Sequence, residues 1–184
     1  MKYSLTNNKK DFYGTTLFQI EATASFGSID KGELGGYIEK ESNLSQEGNC
    51  WVYGDARVSG NAWVSGNAQG FGNAQGFGDA RVDGDAQVSG DAQVSGNARV
   101  YGNARVYGNA QVYGDAWAET PLFIQGTRHG ISNSKHGYLS IGRITLTFAE
   151  WKKQFRAIGK REGYTAAQIK EYGRHIAYAI KVGQ

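Results

Sequence analysis

From Gly48 to Glu119 the chain repeats every six residues without interruption: GNCWVY, GDARVS, GNAWVS, GNAQGF, GNAQGF, GDARVD, GDAQVS, GDAQVS, GNARVY, GNARVY, GNAQVY, GDAWAE. A strict period of six fits neither the helical repeat of 3.6 nor the coiled-coil repeat of 3.5. It fits a short strand followed by a tight turn. Ala and Val flank one variable residue, so the two share a strand face. Gly-Asn or Gly-Asp then supplies the corner, where unusual backbone angles are needed. Three units close a triangular coil of 18 residues, and the coils stack as parallel strands. Twelve hexads make four coils, roughly 19 Å of solenoid at about 4.8 Å per coil.

The composition agrees with this reading. There are 27 glycines in 184 residues but one proline, which excludes collagen and proline-rich linkers. An apolar content of 40% is too high for a disordered chain. No apolar run approaches the ~20 residues that span a bilayer. One cysteine, Cys50, cannot form an internal disulfide and suits a reducing cytoplasm. Two degenerate hexads, GYIEKE from Gly36 and SNLSQE from Ser42, extend the array backwards, which sets three segments: capping strands over 1–35, the solenoid over 36–119 and a C-terminal domain over 120–184.

The repeat resembles the hexapeptide-repeat proteins, whose left-handed parallel β-helix places an aliphatic residue and a small residue four positions apart, as Val58 with Ala62 and Val100 with Ala104 are here. The stretches DKGELGGYIEKESNLSQEGNCWVYGDARV and IQGTRHGISNSKHGYLSIGRITLTFAEW are similar to segments of bacteriophage and prophage members, often labelled transferases. The resemblance implies the left-handed triangular solenoid and favours a phage or prophage origin. Its best-known activity is acyl transfer, with a solenoid histidine as general base. Here His129, His136 and His175 all lie beyond the repeats, and no loop interrupts the coils. The expectation is therefore no enzymatic activity and no cofactor. His129 and His136 flank a predicted hairpin, and two histidines without a third ligand are a weak metal signal.

An 18-residue coil predicts three outward stacks. One carries Trp51, Gln69, Gln87 and Arg105; the next Arg57, Gln75, Gln93 and Gln111; the third Trp63, Arg81, Arg99 and Trp117. Such side chains either steady neighbouring coils or form a partner surface, self-association included, and Trp63 and Trp117 are the interface candidates. Gly70 and Gly76 replace inward valines, each followed by a phenylalanine. Either one or both of Phe71 and Phe77 turn inward to refill the space, or a shallow ligand site or groove opens. Cys50 occupies an inward alanine position and reads as a core residue.

Candidate strands at Lys2–Thr6 and Leu17–Ala24 cap the first coil. Beyond Pro121 the chain changes character. Strands at Leu122–Gln125, Gly130–Ser132 and Tyr138–Ile141 lead to T-x-x-E at Thr147 and T-x-x-Q at Thr165, two helix starts. Phe148, Trp151, Phe155 and Ile158 share one face of the first helix; Ile169, Tyr172, Ile176 and Ile180 share one face of the second. A small α+β domain is expected. Residues 120–184 carry eleven Lys and Arg against three Asp and Glu, whereas residues 1–119 carry nine against fourteen. Arg128, Lys152, Lys153, Arg156, Lys160 and Arg161 are the candidate anion-binding residues, unless the face is merely solvated. The expected partners are a host or phage protein, or an anionic ligand such as nucleic acid or a nucleotide. A structural, oligomeric spacer is the alternative.

Overall fold

A computed structural model describes residues 1–114, 116–117 and 119–183, with Ala116 by its backbone alone; Asp115 and Ala118 of the last hexad, and Gln184, lie outside the described residues. The chain sorts into two compact units, one of 1–109 with 113–120 and one of 110–112 with 121–184.

The first unit is the expected parallel β-solenoid. Each hexad contributes a strand of two or three residues, and strands three hexads apart pair in register. Gln87 lies opposite Gln69 and Arg105, and Arg81 lies opposite Trp63 and Arg99. The inward Ala and Val columns are buried from Ala56 through Val106. At the corners glycine is required twice over. Gly66 has φ +65°, and a Cβ there would stand 2.9 Å from the main-chain nitrogen of Gly84 in the next coil. The residue after each corner glycine forms a second ladder: the Asn61, Asn67 and Asn73 amides each donate to the carboxylate 18 residues on, Asp79, Asp85 and Asp91, at 3.0 Å.

Both ends of the array depart from the hexad frame. The degenerate hexads do extend the solenoid, but two residues out of step: Ile38 pairs with Val58 and Leu44 with Val64, 20 positions apart. Ile38 and Leu44 thereby fall on the inward valine columns and are buried. The N-terminal strands Tyr3–Phe12 and Thr15–Ala22 form an antiparallel hairpin whose second strand pairs with Leu34–Ile38, which in turn pairs in parallel with Arg57–Val58. The cap thus continues one face of the solenoid.

The cap also corrects the expected position of Trp51. Its outward side chain is 0% exposed, covered edge-on by Tyr3 and Phe26. Gly35 admits it, since a Cβ there would approach the Trp51 ring to 2.7 Å. Cys50 is core, as expected: burial pushes its thiol above the ordinary value, against the nearby Lys2 ammonium, which lies 3.3 Å from Sγ.

Trp117 is the second correction. It is 0% exposed. The last coil is one residue short, so Val100 pairs with Trp117 at a separation of 17 and Ala116 takes the place opposite Arg99. The indole enters the inward column and fills the end of the core, where no further coil would cover it. Its burial takes it off the exposed surface on which hexad position puts it.

Neither phenylalanine after the missing valines turns inward. Phe71 stacks on Tyr53, with centroids 4.6 Å apart and planes within 12°, and Phe77 is exposed. A small apolar void of about 30 Å³ remains between Gly70, Gly76 and the inward valines around them. A Cβ at Gly70 would meet Ala56 at 3.8 Å, and one at Gly76 would meet Ala62 at 3.9 Å, both ordinary contacts. Gly70→Val with Gly76→Val should therefore stabilise the solenoid, by about 1 kcal/mol per site from added burial and lost chain entropy. Thermal unfolding should shift upward by roughly 5 °C; a lower midpoint would show that the coils cannot accept the valines.

The second unit has a four-stranded antiparallel sheet in the order Phe123–Gln125, Gly130–Lys135, Tyr138–Ile141, Ile144–Thr147, followed by helices α1 (Phe148–Arg161) and α2 (Ala166–Val182). The last strand has no counterpart among the sequence expectations, because it runs directly into the helix cap. Both capping boxes form: the Thr147 hydroxyl accepts from Glu150 N, and that of Thr165 from Gln168 N. Ile131, Leu139, Trp151, Ile158, Tyr172 and Ile176 make the core. Among the described residues no helix is long and apolar enough to cross a membrane.

Candidate binding surfaces

Helix α1 carries two adjacent stripes. Trp151, Phe155, Ile158 and Gly159 face inward, while Lys152, Arg156 and Lys160, four residues apart, share a stripe with Lys153 beside it. All four cations are exposed. Among the described residues none of the four makes an ion pair. Arg161 differs, since its Nε meets Glu162 at 3.1 Å, and Glu162 also accepts from Arg143 at 3.1 Å. These arginines, Arg161 foremost, hold the Glu162 carboxyl below its usual range.

Arg128 stands apart from the α1 stripe. It lies on a loop fastened to α2 by two consecutive side chains. Both carboxylate oxygens of Glu171 accept from Thr127, one from its amide at 2.8 Å and the other from its hydroxyl at 2.6 Å. The Tyr172 hydroxyl accepts from the amides of Arg128 and His129 and donates to the His129 carbonyl at 2.8 Å. Gly126 lets the loop approach, as a Cβ there would come within 2.5 Å of that hydroxyl. Arg128 then lies over the Tyr164 ring at 4.8 Å and donates to the Gly163 carbonyl at 2.9 Å.

Beneath this loop, between strand ends and the two helices, is a cavity of about 300 Å³. Ile141, Ile144, Trp151, Ile158 and Ile176 line its depth, and Arg128, Arg143 and Glu162 stand at its rim. The sequence gives no periodic signal for it, because its wall is assembled from three separate segments, 128–129, 141–144 and 151–176. His129 does not join His136 in a metal site, and among the described residues no cluster of three metal-ligating side chains exists. Trp63, on the first unit, is 39% exposed with Arg81 5.9 Å above its ring.

The first unit defines a hexapeptide-repeat β-helix protein. The repeat description "YdcK Beta solenoid repeat" matches residues 52–66, 92–108 and 98–114. The chain is also similar to the uncharacterized acetyltransferase YdcK of Escherichia coli strain K12, at 39% identity over 59 residues. That match covers 28% of this chain and 18% of the relative, so the chain spans under a fifth of that protein's length.

The loop fastening generates a pH prediction. Hydrogen bonds from Thr127, more than the neighbouring His175, hold the Glu171 carboxyl below the ordinary 4.5. A depressed folded value means that the stabilisation is fully present above the unfolded value and is lost as pH falls through the folded one. Amide exchange at Thr127 and His129 should therefore accelerate relative to α2 as pH falls below the ordinary 4.5 of a glutamate. Glu171→Gln should expose both amides already at pH 7 and remove that acid transition. An unchanged exchange pattern in the variant would count against the fastening.

Proposed function

We propose that this is a non-enzymatic, phage- or prophage-encoded interaction protein, working in the host cytoplasm, whose C-terminal unit binds an anionic partner while the solenoid serves as a rigid body. The observation that carries the reading is the α1 stripe of Lys152, Lys153, Arg156 and Lys160, four exposed cations that no carboxylate among the described residues neutralises. An arginine and three lysines along two helical turns suit a phosphate- or carboxylate-rich surface: host protein, nucleic acid or nucleotide signal. A stripe held only for solubility would carry both signs. Exposed Trp63, Tyr101 and Tyr107 on the solenoid favour the alternative, an oligomeric or virion-associated spacer.

Charge reversal at Lys153, Arg156 and Lys160 in the full chain tests the first reading. Partners captured from infected cells should be lost, and binding of a nucleic-acid partner by the parent protein should weaken steeply between 50 and 200 mM salt, by roughly 10-fold or more per few phosphate contacts. A folded variant that keeps every partner would mean that the stripe is merely solvated. Copurification with virions would favour the spacer.

Acyl transfer is the weaker alternative, raised by the name of the Escherichia coli relative. Against it stand repeats that contain no histidine and a His129 side chain outside the solenoid unit. Acetyl-CoA hydrolysis or transfer should stay at background with small amine and hydroxyl acceptors. Turnover that disappears in His129→Ala or His136→Ala would reverse this assignment.

A further inference from the structure

The cavity of the C-terminal unit has a chemistry of its own, separate from the α1 charges. Two of the polar groups that line it are already engaged, and the His129 ring and Tyr164 line it as well. Trp151 Nε1 donates to the Leu139 carbonyl at 2.7 Å, and the Tyr172 hydroxyl is used by the 126–129 loop. The isoleucines around them offer only hydrocarbon. A nucleobase or sugar placed against those isoleucines would lose its hydration with nothing there to replace it. An alkyl chain would gain from burial without that cost.

The rim is different. Arg143 has a side chain 84% exposed and shares Glu162 with Arg161. Among the described residues Arg128 makes no ion pair; its guanidinium donates to a neutral carbonyl, that of Gly163. Two rim arginines against one carboxylate leave the mouth with a net charge of plus one. Arg128 and Arg143 retain donors in a planar fork suited to a carboxylate.

We propose that this cavity is a binding site for a medium-chain aliphatic carboxylate, its chain among Ile141, Ile144, Ile158 and Ile176 and its head between Arg128 and Arg143. The volume of about 300 Å³ limits the chain to roughly six to ten carbons, at ~30 Å³ per group of water or methylene size. Fastening of the 126–129 loop by Glu171 and Tyr172 preforms the mouth, so little ordering opposes entry.

Octanoate is the probe, titrated calorimetrically into the full chain. The expected dissociation constant is on the order of 10–100 µM for about ten non-hydrogen atoms. Octan-1-ol, which keeps the chain but removes the charge, should bind about tenfold more weakly, and butyrate should not saturate. Arg128→Gln with Arg143→Gln changes only rim residues and should lower octanoate affinity about tenfold while leaving octan-1-ol unchanged. Ile144→Trp should fill the cavity and abolish both. Charge reversal at Lys153, Arg156 and Lys160 should leave octanoate binding intact, so the pocket and the basic stripe fail or stand separately. Absence of saturable octanoate binding at about 1 mM, equal affinity for octan-1-ol, or indifference to the double arginine variant would each overturn the proposal.

Discussion

Every coil of the solenoid is joined to the next by main-chain hydrogen bonds, as from Asn61 N to Gly78 O at 2.8 Å and Trp63 N to Ala80 O at 2.9 Å. That ladder allows no coil to differ much in cross-section from its neighbours, and the rest of the first unit follows from it. The interior can hold only one valine and one alanine per side, hence their monotony. Replacing a valine by glycine cannot be healed by contraction, which is why Gly70 and Gly76 leave a void. The two ends, where the ladder has no further coil, are closed with large side chains instead. The N-terminal hairpin folds over Trp51, and Trp117 turns into the column that valine occupies elsewhere.

The second unit is organised by a different rule. Its helices pack through apolar stripes, and what they leave over determines what the unit can bind. On α1 the leftover is a run of exposed cations that make no ion pair among the described residues. Beside it a loop is drawn onto α2 by Glu171 and Tyr172, and the same loop walls a cavity whose depth is hydrocarbon and whose mouth is arginine. Two surfaces of the unit thus differ in kind, one a run of exposed cations and one a largely apolar cavity with arginines at its rim.

How much of this could be read from the chain depends on periodicity. The solenoid, its three faces, the buried Cys50 and both helix caps were legible because each is a local pattern or a fixed spacing. Trp51 and Trp117 were not. Hexad position marks both as outward, but the first is covered by Tyr3 and Phe26, far earlier in the chain, and the second is turned by a one-residue shortening of the last coil. The two-residue offset of Ile38 and Leu44 is of the same kind. The basic residues were identified by charge alone, which assigns them to a unit but does not separate Arg128, at the cavity, from the α1 stripe. The cavity itself depends on packing between segments far apart in sequence, which no periodicity reports.

The corner ladder of Asn and Asp has a consequence for how so uniform an array finds its place. Asparagine donates to aspartate 18 residues on at 61/79, 67/85 and 73/91, and along each of the three corners no aspartate follows another at that spacing. A mispaired array behaves otherwise. Pairing one hexad early sets Asp79 against Asp91, and pairing one hexad late sets Asp55 against Asp79. Like charges stacked at strand spacing repel. Nearly interchangeable hexads offer valine and alanine to any neighbour, so the hydrophobic core is blind to such slips. The choice between asparagine and aspartate, which looks arbitrary hexad by hexad, gives the chain a way to count to three.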